Sequence, residues 1–127
     1  MTRGRRIGIA IVFLWFAIGG VAHFVATDLE TTIVPPFVPW PREVVLVSGV
    51  FELLGAAGLL WPRLRRLAGL GLFVLTIAVT PAHFYMLASP ERFAVPYWAL
   101  VLRLPLQVAL LWLIAWSTEA FATKARR

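Results

Sequence analysis

Cysteine is absent from this chain of 127 residues. That removes disulfides, thiolate metal sites, iron–sulfur ligation and dithiol relay chemistry. Charge is scarce as well: 14% of residues, against about a quarter in an average soluble domain. Acidic groups are fewest, six against twelve Lys and Arg. What fills the chain is hydrocarbon, with 61% apolar residues and a mean hydropathy of +0.85. A globule of this size exposes much of its surface and has too little interior for so much apolar material. The composition argues against a soluble enzyme and, despite a pI near 11.4, against a nucleic-acid-binding module. It points to a small integral membrane protein.

A hydrocarbon layer of about 30 Å takes about 20 residues of helix. Four apolar stretches approach that length, 7–26, 44–61, 67–87 and 97–116, the second being the shortest with 18 residues. Backbone groups in lipid must be satisfied internally, and the alternation of a membrane β-strand is missing, so the stretches read as helices. Arg3, Arg5 and Arg6 ahead of the first stretch mimic a secretory signal. The run is long for one, however, and Phe24-Val25-Ala26 has a bulky residue where cleavage needs a small one. The sequence predicts an all-α, single-domain membrane four-helix bundle over 1–127.

Basic residues set the expected orientation. Arg3, Arg5 and Arg6, then Arg63, Arg65 and Arg66, then Lys124, Arg126 and Arg127 fall on one side; only Arg42 and Arg92 fall on the other, among Asp28, Glu30, Glu43 and Glu91. The positive-inside rule puts both termini in the cytoplasm. The excess charge then reads as topology and attraction to anionic headgroups of the lipid bilayer, with no nucleic-acid partner. Trp61 and Trp116 suit the inner interface; Trp40, Tyr97 and Trp98 suit the outer one. Residues 62–66 predict a tight inner turn. The outer segment 27–42 holds Pro35, Pro36, Pro39 and Pro41 among Ile33, Val34, Phe37, Val38 and Trp40. It reads as an extended strap, either a lid on the outer mouth or a loop resting on headgroups.

Ionisable residues within spans are costly and mark functional candidates. Here they are His23, Glu52, His83 and Arg103, with Ser48, Thr76, Thr80 and Gln107 as polar neighbours. Ser48 and Glu52, and likewise Arg103 and Gln107, are four apart; Thr76, Thr80 and His83 follow i, i+4, i+7. One polar stripe per helix predicts stripes that converge. Counting rise per residue, Glu52 lies roughly 12 Å below the outer boundary, Arg103 roughly 9 Å and Gln107 roughly 15 Å. The expectation is an outward-opening pocket with His23 and His83 at its rim and Glu52 and Gln107 at its floor. Gly19 and Gly20 would let the first helix come close to its neighbours. Pro81 and Pro105 free the carbonyls of Ile77 and Val101, for which Arg103, Gln107 or Thr80 are candidate donors.

Structural readings stand beside these. Glu52 and Arg103 can form an ion pair that holds two helices in register. The histidines can be interfacial, the threonine hydroxyls can bond their own helices, and Glu119 can be a solvated end. Two histidines without cysteine make a poor zinc site, so no metal is expected.

The sequence resembles the DoxX-like family of small four-helix membrane proteins. The likeness rests on Gly20-Val21-Ala22-His23-Phe24, Val38-Pro39-Trp40-Pro41 and Ser48-Gly49-Val50-Phe51-Glu52-Leu53-Leu54-Gly55. It continues in Leu60-Trp61-Pro62, Pro81-Ala82-His83 and Leu102-Arg103-Leu104-Pro105-Leu106-Gln107. It departs at His83, where the family often has Asn. The resemblance implies the bacterial cytoplasmic membrane and association with oxidoreductases acting on quinones or sulfur compounds, or alternatively an assembly helper. Three functions follow. One is a redox-associated, non-catalytic subunit binding a quinone or other lipophilic carbonyl compound, with an oxidoreductase as partner. Another is a binding or assembly module holding a lipid or a partner's helix. The third is a b-type haem protein with His23 and His83 as ligands. Self-association into a homo-oligomer is left open by the sequence.

Overall fold

The computed structural model describes residues 1–89 and 96–121. Glu91, Arg92, Lys124, Arg126 and Arg127, used above for orientation, lie outside the described residues. All regular structure among the described residues is helical: α1 Arg3–Val25, α2 Thr27–Thr31, α3 Pro41–Gly58, α4 Pro62–Ala88 and α5 Tyr97–Thr118.

Local chemistry explains the boundaries. The Thr2 side chain accepts from the Arg5 amide at 3.2 Å, capping α1 and drawing the arginine run into its first turn. Prolines occupy the first helical position of both α3 and α4, where a missing N–H has no consequence. Pro62 therefore opens a helix, and the segment 62–66 expected as a turn is the first turn of α4. The connection is shorter, 59–61, and its amides fold back on Ala56, Ala57 and Gly58 carbonyls at 3.1–3.3 Å. Trp61 is extended, as a residue before proline must be. α3 ends at Gly58, three residues short of the expected limit, and the tighter turns of 59–61 follow it. α4 and α5 continue through Pro81 and Pro105.

The outer segment also differs from its expectation. It is not an extended strap: α2 and a series of turns occupy it, and Trp40 adopts a left-handed conformation with φ 50° that swings the chain into α3. Pro35 is buried and Ile33, Val34 and Val38 partly so, while Phe37 and Trp40 stay 78% and 72% exposed.

Three helices, α1, α4 and α5, are long and apolar enough to cross a membrane, so the chain is a membrane protein by length and composition. The 18-residue α3 is not among them, since it contains Arg42, Glu43 and Glu52. Packing runs from α1 to α3, on to α4, to α5 and back to α1, with α2 resting on α3 and α1. Val12, Leu59 and Ile114 are fully buried, joined by Phe16, Ala56, Leu72 and Leu110. This apolar core occupies the half of the molecule nearer the termini. Outside it, Ile7, Ile11, Leu14, Ile18 and Val21 of α1 and Val101, Leu102 and Val108 of α5 are exposed, the reverse of a water-soluble surface. The half away from the termini carries the polar interior.

Candidate functional site

The seam between α1 and α3 builds the site. Gly20 and Gly49 face each other, and neither has room for a side chain. A Cβ on Gly49 would lie 2.7 Å from His23 Cβ, and one on Gly20 would lie 2.7 Å from Leu53 Cγ and 3.2 Å from the Gly49 carbonyl oxygen. This close approach carries His23 across to α3, where its Nδ1 meets the Val45 carbonyl oxygen at 2.7 Å. A carbonyl only accepts, so Nδ1 carries the proton. The Nε2 edge faces Glu52 Oε2 at 2.9 Å. With Nδ1 protonated, that contact needs one more proton, on the imidazole or on the carboxyl. At that distance the imidazole edge and the carboxylate oxygen form a short charged contact. Their side chains are only 15% and 13% exposed.

A third member comes from α2. The Thr27 hydroxyl donates to the His23 carbonyl at 2.6 Å, leading the chain directly from α1 into α2. Glu30 then approaches His23 Nε2 at 3.6 Å, and Asp28 pairs with Arg42 at 2.6 Å, which ties α2 to the start of α3. Burial raises the Glu30 carboxyl above its ordinary range; His23 opposes the shift and the like charge of Glu52 adds to it. Two carboxylates thus converge on one imidazole beneath a short helix.

Gln107 forms a separate junction between α5 and α4. Its Nε2 donates to the Thr76 carbonyl at 2.8 Å and to Thr80 Oγ1 at 3.2 Å. Thr80 donates to the Thr76 carbonyl and Thr76 to that of Leu72, at 2.9 and 2.7 Å. The threonines bond their own helix, and Gln107 bonds Thr76 rather than the carbonyls of Ile77 or Val101 freed by proline.

Arg103 corrects one expectation. Its guanidinium lies over the Trp15 ring, 5.2 Å from the centroid, and no ion pair joins it to Glu52 among the described residues. α3 and α5 sit across the molecule from each other with α1 between them, so Glu52 is drawn to His23 while Arg103 stacks on Trp15. Trp15, Gly19 and His23 form one i, i+4, i+8 stripe on α1 that serves both. His83 of α4 is within Coulombic reach of Arg103. Ser48 also departs: it lines an outer groove of about 570 Å³ with Trp40, Val47 and Leu75. It stands roughly 100° round α3 from Gly49, the residue that faces α1. Glu119, expected as a solvated end, pairs with Arg5 at 3.0 Å.

Four polar atoms in this half are buried without a partner: Glu30 Oε2, His83 Nε2, Arg103 Nη1 and Gln107 Oε1. Buried polar atoms left unmatched are costly and mark places where a ligand or water is accommodated. The set offers both donors and acceptors. It does not suit haem: His23 has both ring nitrogens engaged, leaving none for iron. No group of three or more metal-ligating side chains occurs among the described residues. Sequence reading overlooked Glu30 and Trp15; the signals available were their spacings of seven and eight residues from His23.

A family model described as Domain of unknown function (DUF8561) matches residues 12–120, the stretch that contains every residue of this interior. No curated protein and no solved structure matches the chain.

Proposed function

Since the chain belongs to this family of unknown function, we propose from its interior geometry that it binds a lipophilic carbonyl compound, a quinone foremost, as a membrane subunit or partner of an oxidoreductase. In this reading the chain is a DoxX-like four-helix bundle in the bacterial cytoplasmic membrane, with both termini inside and α3 as the polar span. The observation that carries it is Arg103 Nη1, a buried donor without a partner, with His83 Nε2 likewise unpartnered, in the same half of the molecule as the group formed by His23, Glu52 and Glu30. A carbonyl oxygen accepts from the former; a reduced ring oxygen takes or returns its proton through the latter. Trp15 supplies a flat wall under Arg103. Electrons come from the partner protein, and the chain contributes binding, orientation and proton exchange.

Titration of a short-chain ubiquinone into the detergent-purified protein, followed by tryptophan quenching, tests this. Saturable quenching is expected in the parent, with affinity weakened at least about tenfold in Arg103→Leu, because a hydrogen bond to a charged donor is worth roughly 1.5–3 kcal/mol. Quinone that leaves the parent's fluorescence unchanged and is missing from solvent extracts of the purified protein refutes the reading. Finding a co-purified membrane protein and no quinone instead favours the alternative binding or assembly module.

A further inference from the structure

The end of the molecule where α1 starts and α5 ends holds a second recess, remote from the polar interior and independent of the quinone reading. It is a groove of about 610 Å³ between α1 and the α3–α4 connection, lined among others by Arg6, Ala10, Phe13, Leu14, Leu60 and Arg65. Its composition is divided. Arg6 and Arg65 mark the mouth, and beyond them the walls are apolar. Arg6, Ala10, Phe13 and Leu14 share one face of α1, so the groove follows that helix inward for eight residues, roughly 12 Å.

Both cations at its mouth lack a carboxylate partner among the described residues. The acid at this end, Glu119, is taken by Arg5 at 3.0 Å. Arg66 is turned away, its Nε donating to the Ala120 carbonyl at 3.2 Å. Arg65 is fixed in place: its Nε donates to the Leu59 carbonyl at 2.8 Å, and its Nη1 has only the Met1 sulfur, at 3.8 Å, a weak acceptor for a full positive charge. A held guanidinium with unspent donors, a second arginine across the mouth and an apolar channel leading away match one kind of occupant. We propose that this groove binds an acidic phospholipid, its phosphate between Arg6 and Arg65 and an acyl chain along Ala10, Phe13, Leu14 and Leu60. Arginine forks suit phosphate oxygens, and basic recesses between membrane helices are recurrent sites for anionic headgroups. The apolar walls separate this from general surface attraction: a free phosphate gains nothing from Phe13 or Leu60, whereas a lipid fills them.

Native mass spectrometry of the detergent-purified full chain, titrated with phosphatidylglycerol and with phosphatidylcholine, provides the test. One phosphatidylglycerol is expected to remain bound at concentrations that leave phosphatidylcholine dissociated, with at least tenfold preference. Arg6→Gln/Arg65→Gln should lose that preference. Arg3→Gln/Arg63→Gln removes the same charge from the same end but outside the groove, and should keep it. Ala10→Trp, which fills the channel and leaves both arginines, should weaken retention at least tenfold. Equal losses in the two double variants would reduce the effect to diffuse electrostatics and overturn the site. Displacement of the lipid by an equal concentration of inorganic phosphate, unchanged binding in Ala10→Trp, or indifference to headgroup charge would each overturn it too. Helical content by circular dichroism confirms that each variant compared is folded.

Discussion

Gly19 and Gly20 are adjacent on α1 and face different surroundings. A Cβ at position 19 would meet nothing nearer than the Glu52 carboxylate oxygens at 3.7 Å, an ordinary contact. At position 49 it would strike His23 Cβ at 2.7 Å and Phe24 at 3.0 Å, and His23 is fixed at both ring nitrogens. Gly49→Ala is therefore expected to lower stability by about 1–3 kcal/mol through overpacking, while Gly19→Ala leaves it level or raises it through helix propensity. Thermal melts in detergent separate the two, and equal melting temperatures would contradict the seam described here. Glu30 adds a pH signature. Its carboxyl is raised above the ordinary 4.5 by burial, so folding favours its protonated form. That contribution is complete below 4.5 and is lost as pH rises through the higher folded value. Relative to Glu30→Gln, which has no such proton, the parent should lose melting temperature over that rising window. A parent and variant that stay parallel across it would mean Glu30 is not held by this environment. His23 and Glu52 face Glu30 and are coupled to it, so the difference reports Glu30 together with its effect on these two neighbours.

At the scale of helices, the chain's apolar runs revealed where α1, α4 and α5 lie, because about 20 apolar residues in succession have few other uses. The ends were less legible. Pro62 reads equally as the close of a turn or as the first residue of a helix, and only the 59–61 amides folding back on α3 decide between them. Periodicity grouped Ser48 with Glu52, Arg103 with Gln107, and Thr76 and Thr80 with His83 as stripes expected to converge, yet gave no means of knowing which faces meet. Each stripe gives an angle about its own axis, and the order α1, α3, α4, α5 around the molecule determines the partners. Opposite charge suggested Glu52 with Arg103; the Gly20–Gly49 contact delivered His23 instead. A pair of double-mutant cycles tests this. His23→Asn with Glu52→Gln should couple by about 0.5–3 kcal/mol, as contacting residues do, and Glu52→Gln with Arg103→Leu should be additive within about 0.5 kcal/mol. Strong coupling in the second cycle and none in the first would restore the pairing suggested by charge alone.

For the molecule as a whole, the uneven distribution of charge is a property of the fold as well as of the sequence. Arg5 reaches Glu119, Arg66 reaches the Ala120 carbonyl and Arg65 reaches Met1, so the chain's start, the α3–α4 connection and the end of α5 meet at one pole. Arg3, Arg5, Arg6, Arg63, Arg65 and Arg66 stand there with Glu119 as the acid among the described residues. At the opposite pole Arg42, paired with Asp28, stands among Asp28, Glu30 and Glu43. Membrane insertion responds to Lys and Arg close to span ends and only weakly to Asp and Glu, so the arginine-rich pole is expected on the cytoplasmic side. α3 bears most on this outcome, since it is short and holds Arg42, Glu43 and Glu52. If it crosses, reporters fused after residue 30 and at the C-terminus should report opposite sides, outside and inside. If α3 instead stays at the interface, the chain crosses only three times, and a C-terminal reporter must appear on the side opposite the N-terminus. Tagging both termini in one protein distinguishes these cases without reference to which side is which. Labels on the same side require four crossings, which puts His23, Glu30 and Glu52 under a short helix at the far membrane surface. Labels on opposite sides leave α3 lying flat, expose its charged face to water, and remove the buried setting on which the group of His23, Glu30 and Glu52 depends.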